Sequence, residues 1–526
     1  MPGIPLSNRC SFCKRRKIKC DENWPRCGNC KRSNQECSGP PKGVKFVQNN
    51  CHSARGNNSR LSSGSPVPRS QAPSPYGTLV DVKLQSTADG TGTFHQMKIV
   101  RDIPQRPREV TPTSNEKLAA KLEQAMAASN ASGQGNALLL SHELLSLMAG
   151  RISLSSALSD ALACLLATFG NLTKRALPFQ DLIDLQTYGR ALKSLQKAVR
   201  DPQRQHDTAT LAAATVLYQI EVAYDSSKGP NKALHCQFIY STMTVRGPPS
   251  LEDMLDVHLA FENQQPMLSY CLLSGEDNFY ASPEWVWTLQ AALDAGMVIS
   301  PDLNSLYSLN MTISSWPYLA SLLRTLHQDP LNQSATELAV ELMNMATTLS
   351  LSLQTIDNTT IASLLSTGDI FYLPSSDSDH PDESTLEFAS FTTAQLVATH
   401  SLASIAANQI LRGAMDFCGP SIADGTAFDL QNREWTARLL CCAPYAARQK
   451  DSFLVPGLVL ACGVAESEEE RKTLVRMLRE VEKWRYPCEK GLKGRWCEKN
   501  VLEMGMVLSG RGVFGAGQGG AVEFWS

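Results

Sequence analysis

The chain has 526 residues, 43% of them hydrophobic and 19% charged, and a formal net charge of −2. That length can bury a sizeable apolar interior, and no run of membrane-spanning length is continuously apolar, so neither a membrane-spanning chain nor a membrane partner is expected. The near-neutral total hides an asymmetry: residues 1–45 hold eleven Lys/Arg against three Asp/Glu, so +8 at one end is set against −10 in the remainder.

The cationic end also carries a repeat. Cys10, Cys13 and Cys20 are spaced C-x2-C-x6-C, and Cys27, Cys30 and Cys37 repeat that spacing, six thiols within 28 residues. A disulfide framework belongs to secreted chains. MPGIPLSNRC has no apolar stretch of the signal-peptide kind, which predicts a reducing compartment. Thiolates at this spacing suit zinc, which prefers four soft ligands in a tetrahedron. Two zincs need eight coordination positions, and six thiolates fill them only if two are shared. The expected cofactor is therefore two zinc ions per chain, with a core charge of −2 that the neighbouring cations offset. Between Cys13 and Cys20 stands KRRKIK, whereas the second half has KRSNQE. A small cationic end on an acidic body is the footprint of a nucleic-acid module.

These residues resemble the fungal zinc binuclear cluster transcription factors. The likeness covers residues 10–37, with all six cysteines in register, the basic run at 14–19 and the loop proline Pro25. It implies that the first and fourth cysteines, Cys10 and Cys27, bridge the metals. It also implies a short helix in each half and recognition of CGG-type triplets through the end of the first helix, where Arg16 and Lys17 stand. Lysine and arginine donate to guanine O6 and N7 in the major groove. Five cations in six residues cannot all face bases, so Lys17 is assigned to base contact first and Arg16 second. Lys14, Arg15, Lys19, Lys31 and Arg32 are assigned to phosphates. The basic run also suits a nuclear import signal.

Residues 46–115 read as a disordered linker. Pro40 and Pro41 close the module, and GNNSRLSSGSPVPRSQAPSP is Ser/Gly/Pro-rich. Within it, residues 78–100 read as a marginal β-hairpin around ADGTG. No apolar heptad run follows the cluster, so a homodimer would be formed through the helical body, helped by NEKLAAKLEQAM.

Residues 116–526 read as an all-α regulatory domain, in two lobes because single cores seldom exceed ~250–300 residues. In LIDLQTYGRALKSLQKAV, Leu185, Tyr188, Leu192, Leu195 and Val199 recur at helical steps, and a second helix follows Asp207. Ser467 and Glu470 form an S-x-x-E box ahead of Leu474, Met477, Val481 and Trp484. YGRALKSLQKAV, TLAAATVLYQIEV and Val245-Arg246-Gly247-Pro248 resemble the fungal-specific transcription factor domain. PSSDSDHPDES is an acidic, solvated loop, and the other ten cysteines read as buried thiols.

Enzyme readings find no support. Gly515, Gly517 and Gly520 match a dinucleotide fingerprint, yet only six residues follow and no βαβ unit fits. Ser146 stands where a zinc protease beginning at His142-Glu143 would need its second histidine. The sequence is read as a nuclear, sequence-specific transcription regulator of a metabolic or secondary-metabolite gene set. Its expected partners are double-stranded DNA and transcription machinery or co-regulators. The alternatives are a repressor or promoter-tethered co-regulator and an enzyme with an appended zinc module.

Overall fold

A computed structural model describes residues 10–21, 26–38, 112–132, 138–173, 179–224, 231–330, 334–375, 384–418, 426–486 and 488–512. The expected hairpin at 78–100, the Ser/Gly/Pro tract, Pro25, the glycine-rich tail and most of the acidic loop lie outside the described residues. The chain divides into two compact units, Met1–Pro104 and Gln105–Ser526.

In the first unit, α1 (Ser11–Arg15) and α2 (Gly28–Arg32) each begin one residue after the first cysteine of their half. Both end in the same way. Lys17 and Asn34 take φ of 55° and 46°, and the next N–H in each half, from Ile18 and Gln35, donates to the carbonyl of Cys13 and Cys30 at 3.1 and 3.0 Å. This is the Schellman closure, in which a left-handed residue folds the chain back over the last turn. The sequence repeat is thus a repeat of backbone geometry. The interior here is sulfur: Cys10, Cys13, Cys20, Cys27 and Cys30 are buried, with Phe12 and Cys37 packed against them.

The second unit is largely helical and holds two apolar cores. One collects residues from Leu122 to Tyr307 and the other from Leu268 to Leu508, so the lobes meet around residues 260–310. Each lobe is built round a helix buried on nearly every side, Thr208–Tyr224 in the first and Phe391–Cys418 in the second. Such helices lack a polar face because they have no solvent side. Amphipathic helices wrap them. Leu185–Val199 buries Ala191, Leu195 and Ala198, with Tyr188, Leu192 and Val199 packed alongside. Leu185 departs from the periodic reading: Asp184 caps the helix by accepting from the Thr187 N–H at 2.8 Å, and Leu185, in the first turn, is 79% exposed.

Glu468–Glu482 follows the Ser467 cap as expected, with Leu474, Met477 and Val481 buried. Glu470, however, returns to the N–H of Glu466 at 3.0 Å, one residue earlier than a capping box requires. Ser114–Ser132, which contains all of NEKLAAKLEQAM, begins with a reciprocal box that spacing alone did not single out. Thr113 accepts from the Glu116 N–H and Glu116 from the Thr113 N–H. Its Leu122 and Ala125 belong to the first lobe's core, so this helix spends its apolar face within its own chain.

The all-α expectation for the body needs correction. β1 (Ile370–Pro374) pairs antiparallel with β2 (Ser384–Phe388), from Ile370 opposite Phe388 to Pro374 opposite Ser384. IFYLP is rich in branched and aromatic residues, yet five residues are too few for alternation to show. The cysteine reading is corrected in part as well. Cys164, Cys236, Cys271, Cys441, Cys442 and Cys462 are buried, but Cys418 and Cys497 are half-buried and Cys488 is exposed. Cys51 lies outside the described residues.

Candidate zinc centre and nucleic-acid face

The six cysteines gather into two groups of four. Cys10, Cys13, Cys20 and Cys27 form one, and Cys10, Cys27, Cys30 and Cys37 the other, each with all its Sγ atoms within 4.8 Å of one another. Cys10 and Cys27 are common to both. Individual separations are 3.8 Å for Cys10–Cys27, 3.7 Å for Cys10–Cys30, 3.7 Å for Cys13–Cys27 and 3.9 Å for Cys20–Cys10. A disulfide needs sulfurs at about 2.0 Å, so these are not bonded pairs. Four thiolates at about 2.3 Å from one zinc stand roughly 3.8 Å apart along the edges of a tetrahedron. The donor set and its spacing therefore fit zinc.

The chemistry of the thiols points the same way. Burial first, then contacts with Cys10, Cys27 and Cys20, pushes the Cys13 thiol up to about 12 without metal. Burial and the contacts with Cys27 and Cys10 raise Cys30 as well. Packed thiolates repel one another, and only a cation among them makes their joint ionisation favourable.

Backbone and side-chain contacts tie the halves together. Asp21 accepts from the Gly28 N–H at 2.8 Å at the start of α2, and the Asn29 side-chain amide donates to the Lys19 carbonyl at 2.7 Å. Arg26 donates to the Gln35 carbonyl at 3.0 Å. A Cβ at Gly28 would stand 2.5 Å from the Asp21 carboxylate, so a larger residue there would displace that side chain from its capping contact.

Of the cations assigned to DNA, Arg15, Arg16, Lys17, Lys19, Lys31 and Arg32 are exposed, and the Lys14 side chain lies outside the described residues. Arg16 holds its guanidinium over the Phe12 ring, 5.7 Å from the centroid. Arg32 is partly engaged by its own helix, donating to Asn29 Oδ1 at 2.8 Å. Lys17 stands apart from both. It occupies the left-handed region at the end of α1, at a cost of ~1–2 kcal/mol for a residue with a Cβ. Asn34 takes the same conformation at the equivalent position of the second half, where asparagine tolerates it better than lysine.

Comparison with known proteins adds to this geometry at the cysteine-rich end. Residues 9–43 match the Fungal Zn(2)-Cys(6) binuclear cluster domain. Over 39 residues the chain is 49% identical to the Transcriptional regulatory protein moc3 of Schizosaccharomyces pombe, a stretch that covers 7% of this chain and 8% of that protein. The chain therefore spans under a tenth of the length of the curated relative it matches. No solved structure matches. The matched segment is a zinc-binding, DNA-binding module of the transcription-regulator kind, and its six cysteines hold two zinc ions.

Proposed function

We propose that this protein is a nuclear, sequence-specific DNA-binding regulator of transcription, in which the zinc module reads DNA and the helical body carries regulation. The observation that carries this reading is the pair of thiolate tetrads sharing Cys10 and Cys27, set beside exposed cations at the end of α1 and in the turn that follows it. In this arrangement Cys10 and Cys27 bridge the two zincs, and the remaining four cysteines each serve one ion. When bound, zinc supplies the positive charge and fixed geometry that hold α1 and α2 in place of an apolar core.

Lys17 then reads a base edge in a CGG-like triplet. It sits where the chain turns away from the helix, and its backbone is closed by the Ile18 hydrogen bond to Cys13. Arg16 reads beside it, while Lys14, Arg15, Lys19, Lys31 and Arg32 meet phosphates. A triplet recurs by chance about every 64 base pairs, so a second contact, from another copy or a co-regulator, has to supply the rest of the specificity.

Selection of bound duplexes from a random pool by the full chain tests the reading. Enrichment of a CGG-containing site that depends on zinc supports it, and failure to enrich any sequence contradicts it.

A further inference from the structure

The helical body contains a cavity of about 400 Å³, a volume in the range of small-molecule sites. Its wall draws on both lobes, from Tyr218 and Phe261 of the first to Phe391 and Trp484 of the second. The lobes are tied together beside it. Arg485 donates to the Val222 carbonyl at 2.8 Å, and the Phe179 and Trp484 rings meet edge-on at 5.3 Å.

Two hydrogen-bond donors in this wall are unsatisfied. The Tyr307 hydroxyl and the Trp484 indole N–H are buried and make no hydrogen bond of normal geometry, with the Ser141 side chain of the same wall beside the Tyr307 hydroxyl, and Tyr307 is 3% exposed. A buried donor without a partner costs free energy, and the indole nitrogen can only donate. Both would be satisfied by an acceptor inside the cavity.

The charged lining consists of Lys450 and Arg485 with Asp451 and Glu262, and burial keeps the Glu262 carboxyl partly protonated near neutral pH. Arg485 is already engaged, by the Val222 carbonyl, by Ser452 Oγ at 3.2 Å and by Glu482 at 3.6 Å. The buried cation of the wall is thus not free to hold an anionic ligand, and the other, Lys450, is exposed to solvent. The Tyr307 ring is fixed by stacking on Phe261, with centroids 4.7 Å apart and planes at 10°, which presents a rigid flat wall.

We propose that this cavity binds a small, uncharged organic molecule with a flat apolar body and carbonyl-type oxygens that accept from Tyr307 and Trp484. An occupant touches both lobes and so stabilises their packing against each other. The site is independent of the DNA-binding proposal, since its residues all lie in the body.

Prodan, a neutral naphthalene ketone, serves as the probe, titrated into the full chain while its fluorescence and the body's melting temperature are followed. One saturable site per chain and a rise in melting temperature are expected. Tyr307→Phe should weaken binding about fivefold to tenfold, and Ser269→Trp, which fills the cavity from its wall, should abolish it. Trp287→Ala, on the exposed surface, should leave binding unchanged. Anilinonaphthalene sulfonate, an anionic relative of the probe, should bind at least tenfold more weakly. If Ser269→Trp does not fold, Tyr307→Phe decides alone. Binding that does not saturate, that ignores Tyr307→Phe, or that favours the anionic dye overturns the proposal.

Discussion

Around Cys10 and Cys27 the buried side chains are thiols, whereas around Leu195 and Leu402 they are hydrocarbons, and this contrast separates the two units. Among its described residues the first unit has five buried cysteines and little else inside, so its fold should depend on the free energy of binding metal. The second has two apolar cores, and its stability comes from area removed from water. A few atoms decide the first fold, and no single contact decides the second. Changes in the two units should therefore differ both in size and in what they leave intact.

The largest effect is expected at the shared sulfurs. Cys10→Ala or Cys27→Ala takes a ligand from both tetrads and should reduce zinc below one ion per chain and abolish DNA binding. Cys37→Ala touches one tetrad and should leave one ion bound. Native mass spectrometry counts the metals, and greater loss from Cys37→Ala than from Cys10→Ala would overturn the bridge assignment.

In the body, Leu195→Ala should cost about 2–5 kcal/mol, the usual range for truncating a buried leucine. It should lower the melting temperature and leave zinc content at two. A change in zinc content would mean that the units are coupled.

The second lobe boundary offers a pH test. Burial pushes the Glu262 carboxyl up to about 7 from 4.5, although the Ser141 backbone hydrogen bond pulls it the other way. Its folded value lies above its unfolded one, so the native state retains a proton that the unfolded chain has released between those limits. The group's contribution is complete below that window and is lost as pH rises through it. Glu262→Gln should remove this slope and stabilise the body by up to about 3 kcal/mol near pH 8. Zinc binding should not follow that slope.

The smallest effects are expected on the DNA face. Lys17→Ala should cost about 1–3 kcal/mol on the selected site and relax its triplet, while Lys31→Ala should weaken all sequences alike and make the salt slope shallower by about one unit. Lys17→Gly relieves the left-handed strain, so it should keep the fold and still lose the discrimination. Equal loss on matched and mismatched duplexes for Lys17→Ala would contradict base reading.

How much of this was legible in the sequence follows from the same contrast. The zinc centre was readable because its ligands are close in the chain and metal chemistry admits few spacings. The helical body was readable as a class, through steps such as Leu192 to Leu195 to Val199, but its details were not. Leu185 fits the period and is nevertheless exposed, since Asp184 starts the helix there and the first turn faces outward. The hairpin of β1 and β2 escaped because five-residue strands give too little alternation. The cavity has no local signature at all, because Ser141, Tyr307 and Trp484 become neighbours of one space only through the packing of both lobes. Lys17 illustrates a third case: its side chain was assigned from charge, but its backbone conformation appeared only in the folded turn.

The central claim, that metal holds one unit and burial the other, is tested most directly by chelation of the full chain. A strong zinc chelator should abolish binding to the selected duplex while far-ultraviolet circular dichroism retains nearly all its helical signal and the main thermal transition stays in place. Loss of most of that helical signal on chelation would contradict the account, and would place metal ligands in the body.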